Sequence, residues 1–86
     1  MRYSLKKFKR ICEFIKEVEE CDISDFCNNV IDCFNNVYNS RKDVILSDDD
    51  DDGNCLAYFD DENSPQICIL TDTKKDKVTV LDAYIA

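Results

Sequence analysis

The sequence predicts an α+β domain: two N-terminal helices packed on one face of a small antiparallel sheet of three to four strands. Two patterns and one length argument lead there. Up to Tyr38, apolar residues recur at three- and four-residue steps, the helical period. From Val44 onward the chain breaks into short β-rich runs separated by turn residues. The connections between those runs are too short for parallel crossovers, so neighbouring strands must run antiparallel.

The first helix is predicted from about Ser4 to Glu20, with Ser4 as N-cap. Leu5, Phe8, Ile11, Cys12, Ile15 and Val18 share one face, and Lys6, Lys9, Glu13, Lys16, Glu17 and Glu20 the other. Its charges oppose the helix dipole, basic at the start and acidic at the end. Phe14 sits at the rim of the apolar arc. The second helix starts after Asp22 or Ser24, carries Ile23, Phe26, Cys27, Val30, Ile31, Phe34, Val37 and Tyr38 on a wide apolar arc, and ends near Asn39. Four asparagines on its polar face are poor helix formers, so packing must hold it.

Four strands follow: Val44 to Leu46, Cys55 to Phe59, Gln66 to Thr71 and Val78 to Ile85. Asp60 to Pro65 and Asp72 to Asp76 supply the turns. Strict alternation in the last strand puts Val78, Val80 and Asp82 on one side and Thr79, Leu81, Ala83 and Ile85 on the other. Cys55 and Cys68 are expected to face each other across the central hairpin.

The 86 residues fit one compact domain, 1–86, with an acidic loop at about 47–54. The basic start lacks the features of a signal peptide, and no run is long and apolar enough to span a bilayer. A cytoplasmic location, inside a cell or a virus-infected host, is the expectation. The six cysteines include no CxxC, and the chain has no histidine, so zinc-site spacing is absent. Most of these cysteines read as small reduced fillers of the core.

Net charge is -8, and it is segregated. Residues 1–10 hold five basic groups and no acid, whereas residues 11–63 hold sixteen acids and three bases. This balance disfavours nucleic acid and anionic lipid as direct ligands and favours a cationic partner. Asp48, Asp49, Asp50, Asp51 and Asp52 form the densest run, and Asp60, Asp61 and Glu62 a second. The pattern of Asp48, Asp50, Asp52 and Gly53 matches the opening of a calcium loop, but Phe59 stands where the closing glutamate belongs. Neither metal ligands nor a cofactor site are assigned from it.

Rows of carboxylates can imitate a phosphate backbone. Small size, acidity and the want of catalytic groups resemble phage anti-CRISPR and anti-restriction proteins and nuclease immunity proteins. The resemblance is one of class and charge and carries no site residues with it. It implies an acidic inhibitor of a basic, nucleic-acid-binding protein such as a nuclease or CRISPR effector. The expected partner-binding residues are the two acidic runs and Tyr58, which joins an apolar tip to a polar one. An enzyme is not expected, because no histidine, no Gly-rich phosphate loop and no positioned acid–base pair occur. Two other readings compete. One is a hydrophobically driven adaptor or homodimer using Tyr58 and its sheet neighbours, with acidity serving solubility. The other is a weak divalent-metal module.

Overall fold

A computed structural model describes residues 3–39, 43–48 and 54–86 of the chain. Two helices pack against an antiparallel sheet of five strands curled into a half-barrel, one strand more than expected. In chain order the elements are α1 (Leu5–Lys16), β1 (Cys21–Asp22), α2 (Ile23–Tyr38), β2 (Val44–Asp48), β3 (Asn54–Phe59), β4 (Ile67–Lys74) and β5 (Lys77–Ile85). The strand order is β1-β5-β4-β3-β2, so the last four strands form a meander. Among the described residues no helix is long and apolar enough to cross a membrane.

Helix α1 begins as expected. The Ser4 hydroxyl accepts from the Lys7 amide at 3.3 Å. It ends four residues early, in a tightened last turn where the Glu17 amide reaches the Phe14 carbonyl at 3.1 Å. The acids that follow, Glu17, Glu19 and Glu20, would sit on the negative end of the helix dipole, which opposes extension. The freed segment supplies β1, whose Cys21 and Asp22 pair with Val78 and Lys77.

Asp22 occupies the N-cap position of α2 without a side-chain capping bond. Its carboxylate is drawn instead to the Lys77 ammonium at 2.7 Å. Asn39 closes α2 in the left-handed conformation, φ 43°, a role asparagine tolerates. The core joins Phe8, Ile11 and Ile15 of α1 with Phe26, Val30 and Phe34 of α2 and with Ala57, Phe59, Ile67, Ile69, Val78 and Ala83 of the sheet. At one end Tyr3, Phe8, Phe34, Tyr38 and Phe59 form a connected group of rings with centroids 5.2 to 6.1 Å apart.

Two register expectations are corrected. In β3–β4, Leu56 lies opposite Cys68 and Cys55 opposite Ile69, so the two cysteines point to opposite faces. Burying Ile67 and Ile69 against the helices fixes this register and turns Cys68 to the reverse face. In β4–β5, Leu70 pairs with Asp82 and Thr71 with Val80, leaving Leu81 as one extra residue. That bulge reverses the alternation, so Val78, Val80, Ala83 and Ile85 all pack on the core while Leu81 is 64% exposed.

The β4–β5 turn is tighter than expected. Lys74 pairs with Lys77, and Lys75 and Asp76 between them hold φ of 50° and 66°. Two positive values in succession mark the type I′ hairpin, whose twist suits the flanking strands.

Candidate protein-binding surfaces

Of the two expected acidic runs, only the second is described in full. Asp48 closes β2 opposite Cys55, and Asp49 to Asp52 fall outside the described residues, as does most of the partial calcium-loop pattern. Asp60, Asp61 and Glu62 form the turn beyond Phe59. Six residues at ~3.4 Å each put the Asp48–Cys55 pair roughly 20 Å from that turn.

Asp61 has a local task. Its carboxylate accepts from the Tyr3 hydroxyl at 2.8 Å and from the Asn63 amide at 3.0 Å. The contact ties the segment before α1 to the β3–β4 turn. Asp60 and Glu62 are exposed and, among the described residues, hold no ion pair. Tyr58 lies on the sheet face turned away from the helices, half-buried opposite Ile45.

The helical side holds an acidic concavity whose residues lie outside the two expected acidic runs. Where α1 ends and the chain turns into β1, a shallow hollow opens against α2. Glu17, Glu19, Glu20 and Asp32 stand around it, over Phe14, Val18, Cys21 and Cys33, with Asn29 and Asn36 on the α2 flank. No basic side chain lines it. The nearest lysine of α1, Lys16, is engaged by Glu13 at 3.3 Å and Asp82 at 3.9 Å. Among the described residues Glu17, Glu19 and Asp32 have no counter-ion, while Glu20 accepts from the Thr79 hydroxyl at 3.3 Å. The individual acids were visible in the sequence. What brings Asp32 and Glu17 to one hollow is the packing of α1 on α2, which no local pattern encodes.

The outer sheet face is a second surface. Ser47, Leu56, Cys68 and Tyr84 form one cross-strand row, beside Ile45 and Tyr58. None of them belongs to the core cluster, and Tyr84 is 47% exposed. Tyr3 and Tyr38 pack in the ring cluster instead of joining this face.

The thiols divide by depth. Cys12, Cys33 and Cys68 are buried, Cys21 and Cys55 half-buried, and Cys27 exposed. Burial, with Asp32 adding repulsion, pushes the Cys33 thiol up to about 11, and burial likewise raises Cys12. Among the described residues no group of three or more His, Cys, Asp or Glu side chains is placed to hold a metal ion. Comparison with protein-family profiles, curated proteins and solved structures gives no match, so the reading of these surfaces rests on their geometry and charge.

Proposed function

We propose that this protein binds a basic surface of another protein and blocks it, in the manner of DNA-mimic, anti-CRISPR, anti-restriction or nuclease-immunity inhibitors. The observation that carries the reading is the hollow of Glu17, Glu19, Glu20 and Asp32, four carboxylates lined by no cation. Like charges gathered around one hollow repel one another, and a cation brought by a partner relieves that repulsion. Lysine or arginine side chains of a partner supply that charge, and Phe14 and Val18 offer apolar contact beneath it. Asp60 and Glu62 extend the negative surface at one end of β3, and the sequence adds the carboxylates of Asp48 to Asp52. A basic cleft that normally holds nucleic acid is the complementary shape of charge.

The test is capture of partners from the source organism or its host, washed at low and at high salt and identified by mass spectrometry. A nucleic-acid-binding protein released by salt is the expected result. Glu17→Gln/Glu19→Gln/Asp32→Asn and Asp48→Asn through Asp52→Asn are each expected to weaken its binding tenfold or more, a difference of ~1.4 kcal/mol. Binding that ignores both sets of neutralisations would sink the proposal.

The apolar row on the outer sheet face favours a second reading, an adaptor that docks through Leu56, Tyr58 and Tyr84. It expects capture that survives high salt and is lost on Tyr58→Ala or Leu56→Asp.

A further inference from the structure

Lys9, Glu13 and Lys16 recur along α1 at steps of four and three, so they share one flank of the helix. They line a groove with Ala83, Tyr84 and Ile85 of β5. Helix and strand run antiparallel there. The Lys16 ammonium stands 3.9 Å from the Asp82 carboxylate, and beyond the helix end Glu20 accepts from the Thr79 hydroxyl at 3.3 Å. From the Ile85 end to the Thr79 end the flank therefore presents Lys9, Glu13, Lys16 and Glu20, all exposed. Its charges alternate: basic, acidic, basic, acidic.

The strand beside this row has an open edge. β1 pairs with Val78 and Lys77 alone, and among the described residues no strand lies on that side of β5 from Thr79 onward. The Ala86 amide donates to the Gln66 carbonyl at 2.8 Å, so Ala86 faces β4 and alternation turns the Ala83 amide to the open edge. There it bonds the carboxylate of its neighbour Asp82 at 2.8 Å. A charged side chain seated on the edge blunts it against strand addition, so contact here is made by side chains. Leu81 and Tyr84, 64% and 47% exposed, stand on either side of Asp82 and Ala83.

Charge selects the occupant. On a chain of net charge -8 the row is neutral, with two bases and two acids, so two copies can meet on it without opposing like charges. An alternating row of four is complementary to itself only when reversed. We infer that a second copy of this chain packs its α1–β5 flank against this one, antiparallel, about a two-fold axis level with Asp82 and Ala83. Glu13 of each copy then faces Lys16 of the other, and Lys9 faces Glu20. The Lys16–Glu13 pair within each chain, at 3.3 Å, joins its counterpart in a ring of four alternating charges. Such networks hold better than isolated surface pairs. The same axis brings the basic start of each α1 toward the negative end of the other helix, offsetting charges that oppose their own dipole. Tyr84 adds apolar area beside the row. One patch used twice closes the assembly at two copies. Glu20 also borders the helical hollow, but Glu13 and Lys16 do not, so the dimer can be tested with the hollow intact.

The experiment is sedimentation equilibrium of the full chain over ~10–200 μM at low salt, where screening is weak. The expected mass is about 20 kDa, twice the 10.0 kDa of the chain. Glu13→Lys sets an ammonium against Lys16 of the other copy on both sides of the axis. It is expected to return the mass to 10.0 kDa even though it lowers the net negative charge. Lys16→Glu, which sets acid against acid, is expected to do the same. An equimolar mixture of the two variants restores opposite charges at both contacts and is expected to sediment at about 20 kDa. Should Lys16→Glu lose its circular-dichroism signal, the comparison of Glu13→Lys with the wild type decides. A wild-type chain that stays at 10.0 kDa overturns the inference, as does a Glu13→Lys chain that dimerises like the wild type. A mixture of two folded variants that stays at 10.0 kDa overturns it equally.

Discussion

Cys33 shows how burial of a single group ties stability to pH. The folded chain holds its thiol proton up to about pH 11, against an ordinary value of 9.0. Between those values the unfolded chain has released the proton and the folded chain has not. Stability from this group is therefore complete below pH 9 and is lost as pH climbs through about 11. The loss is on the order of 2 kcal/mol. Cys12 adds to it in the same direction. Denaturant melts at pH 8 and pH 11 are expected to show the fall, and Cys33→Ala, though less stable at pH 8, to show a shallower one. A wild-type midpoint that does not move between the two pH values would refute the assignment. Asp61 belongs to the same scale. Its bond from Tyr3 spans 58 positions of sequence, and a double-mutant cycle of Tyr3→Phe with Asp61→Asn is expected to return a coupling of ~1 kcal/mol. Additive losses would show that the bond contributes nothing. That bond is not legible in the sequence, where Asp61 reads as one acid among three.

At the scale of elements, β5 is where local pattern and structure part. Both helices were readable from their apolar steps, and β2 to β5 from β-branched runs between turn residues. β1 was not, because two residues carry no period; Cys21 and Asp22 become a strand only through Val78 and Lys77. The bulge was hidden for another reason. Leu81 is an apolar residue where alternation wants one, with no glycine to betray the extra position. The structure makes a sharp prediction from it. Deleting Leu81 restores plain alternation and leaves Val78, Val80, Ala83 and Ile85 on the core face. Deleting Thr79 turns the 5% exposed Val78 outward. The first variant is expected to fold with a loss of at most ~2 kcal/mol and the second to lose ~3 kcal/mol or more, by urea melts. Equal losses would mean that the bulge itself, and not the facing of side chains, holds the curl of the sheet. In the adjoining hairpin Asp76 pays the left-handed penalty of a residue with a Cβ. Asp76→Gly is expected to stabilise by ~1 kcal/mol, and a drop in melting temperature would contradict the turn geometry.

The whole molecule carries a charge of -8 in a particle 39 Å in its longest dimension, and charge at that density opposes compaction. The apolar core and the ring cluster overcome the repulsion, but the helical hollow concentrates it at one place. Position on the chain could not reveal that concentration: Glu17 and Asp32 are fifteen residues apart and border one hollow because α1 packs on α2. If the hollow exists to meet a cation, its acids should weaken the isolated fold while strengthening the complex, the usual opposition of stability and function. Salt separates the two effects, since counter-ions screen repulsion within the free protein and attraction within the complex alike. The wild type is accordingly expected to melt several degrees higher in ~0.5 M than in ~0.01 M salt. Glu17→Gln/Glu19→Gln/Asp32→Asn should melt higher than wild type at low salt and show a smaller rise on adding it. The same variant should hold a captured partner less well at low salt. A variant that melts lower at low salt than the wild type would mean that these carboxylates stabilise the free fold, and the hollow would then need no partner to explain it.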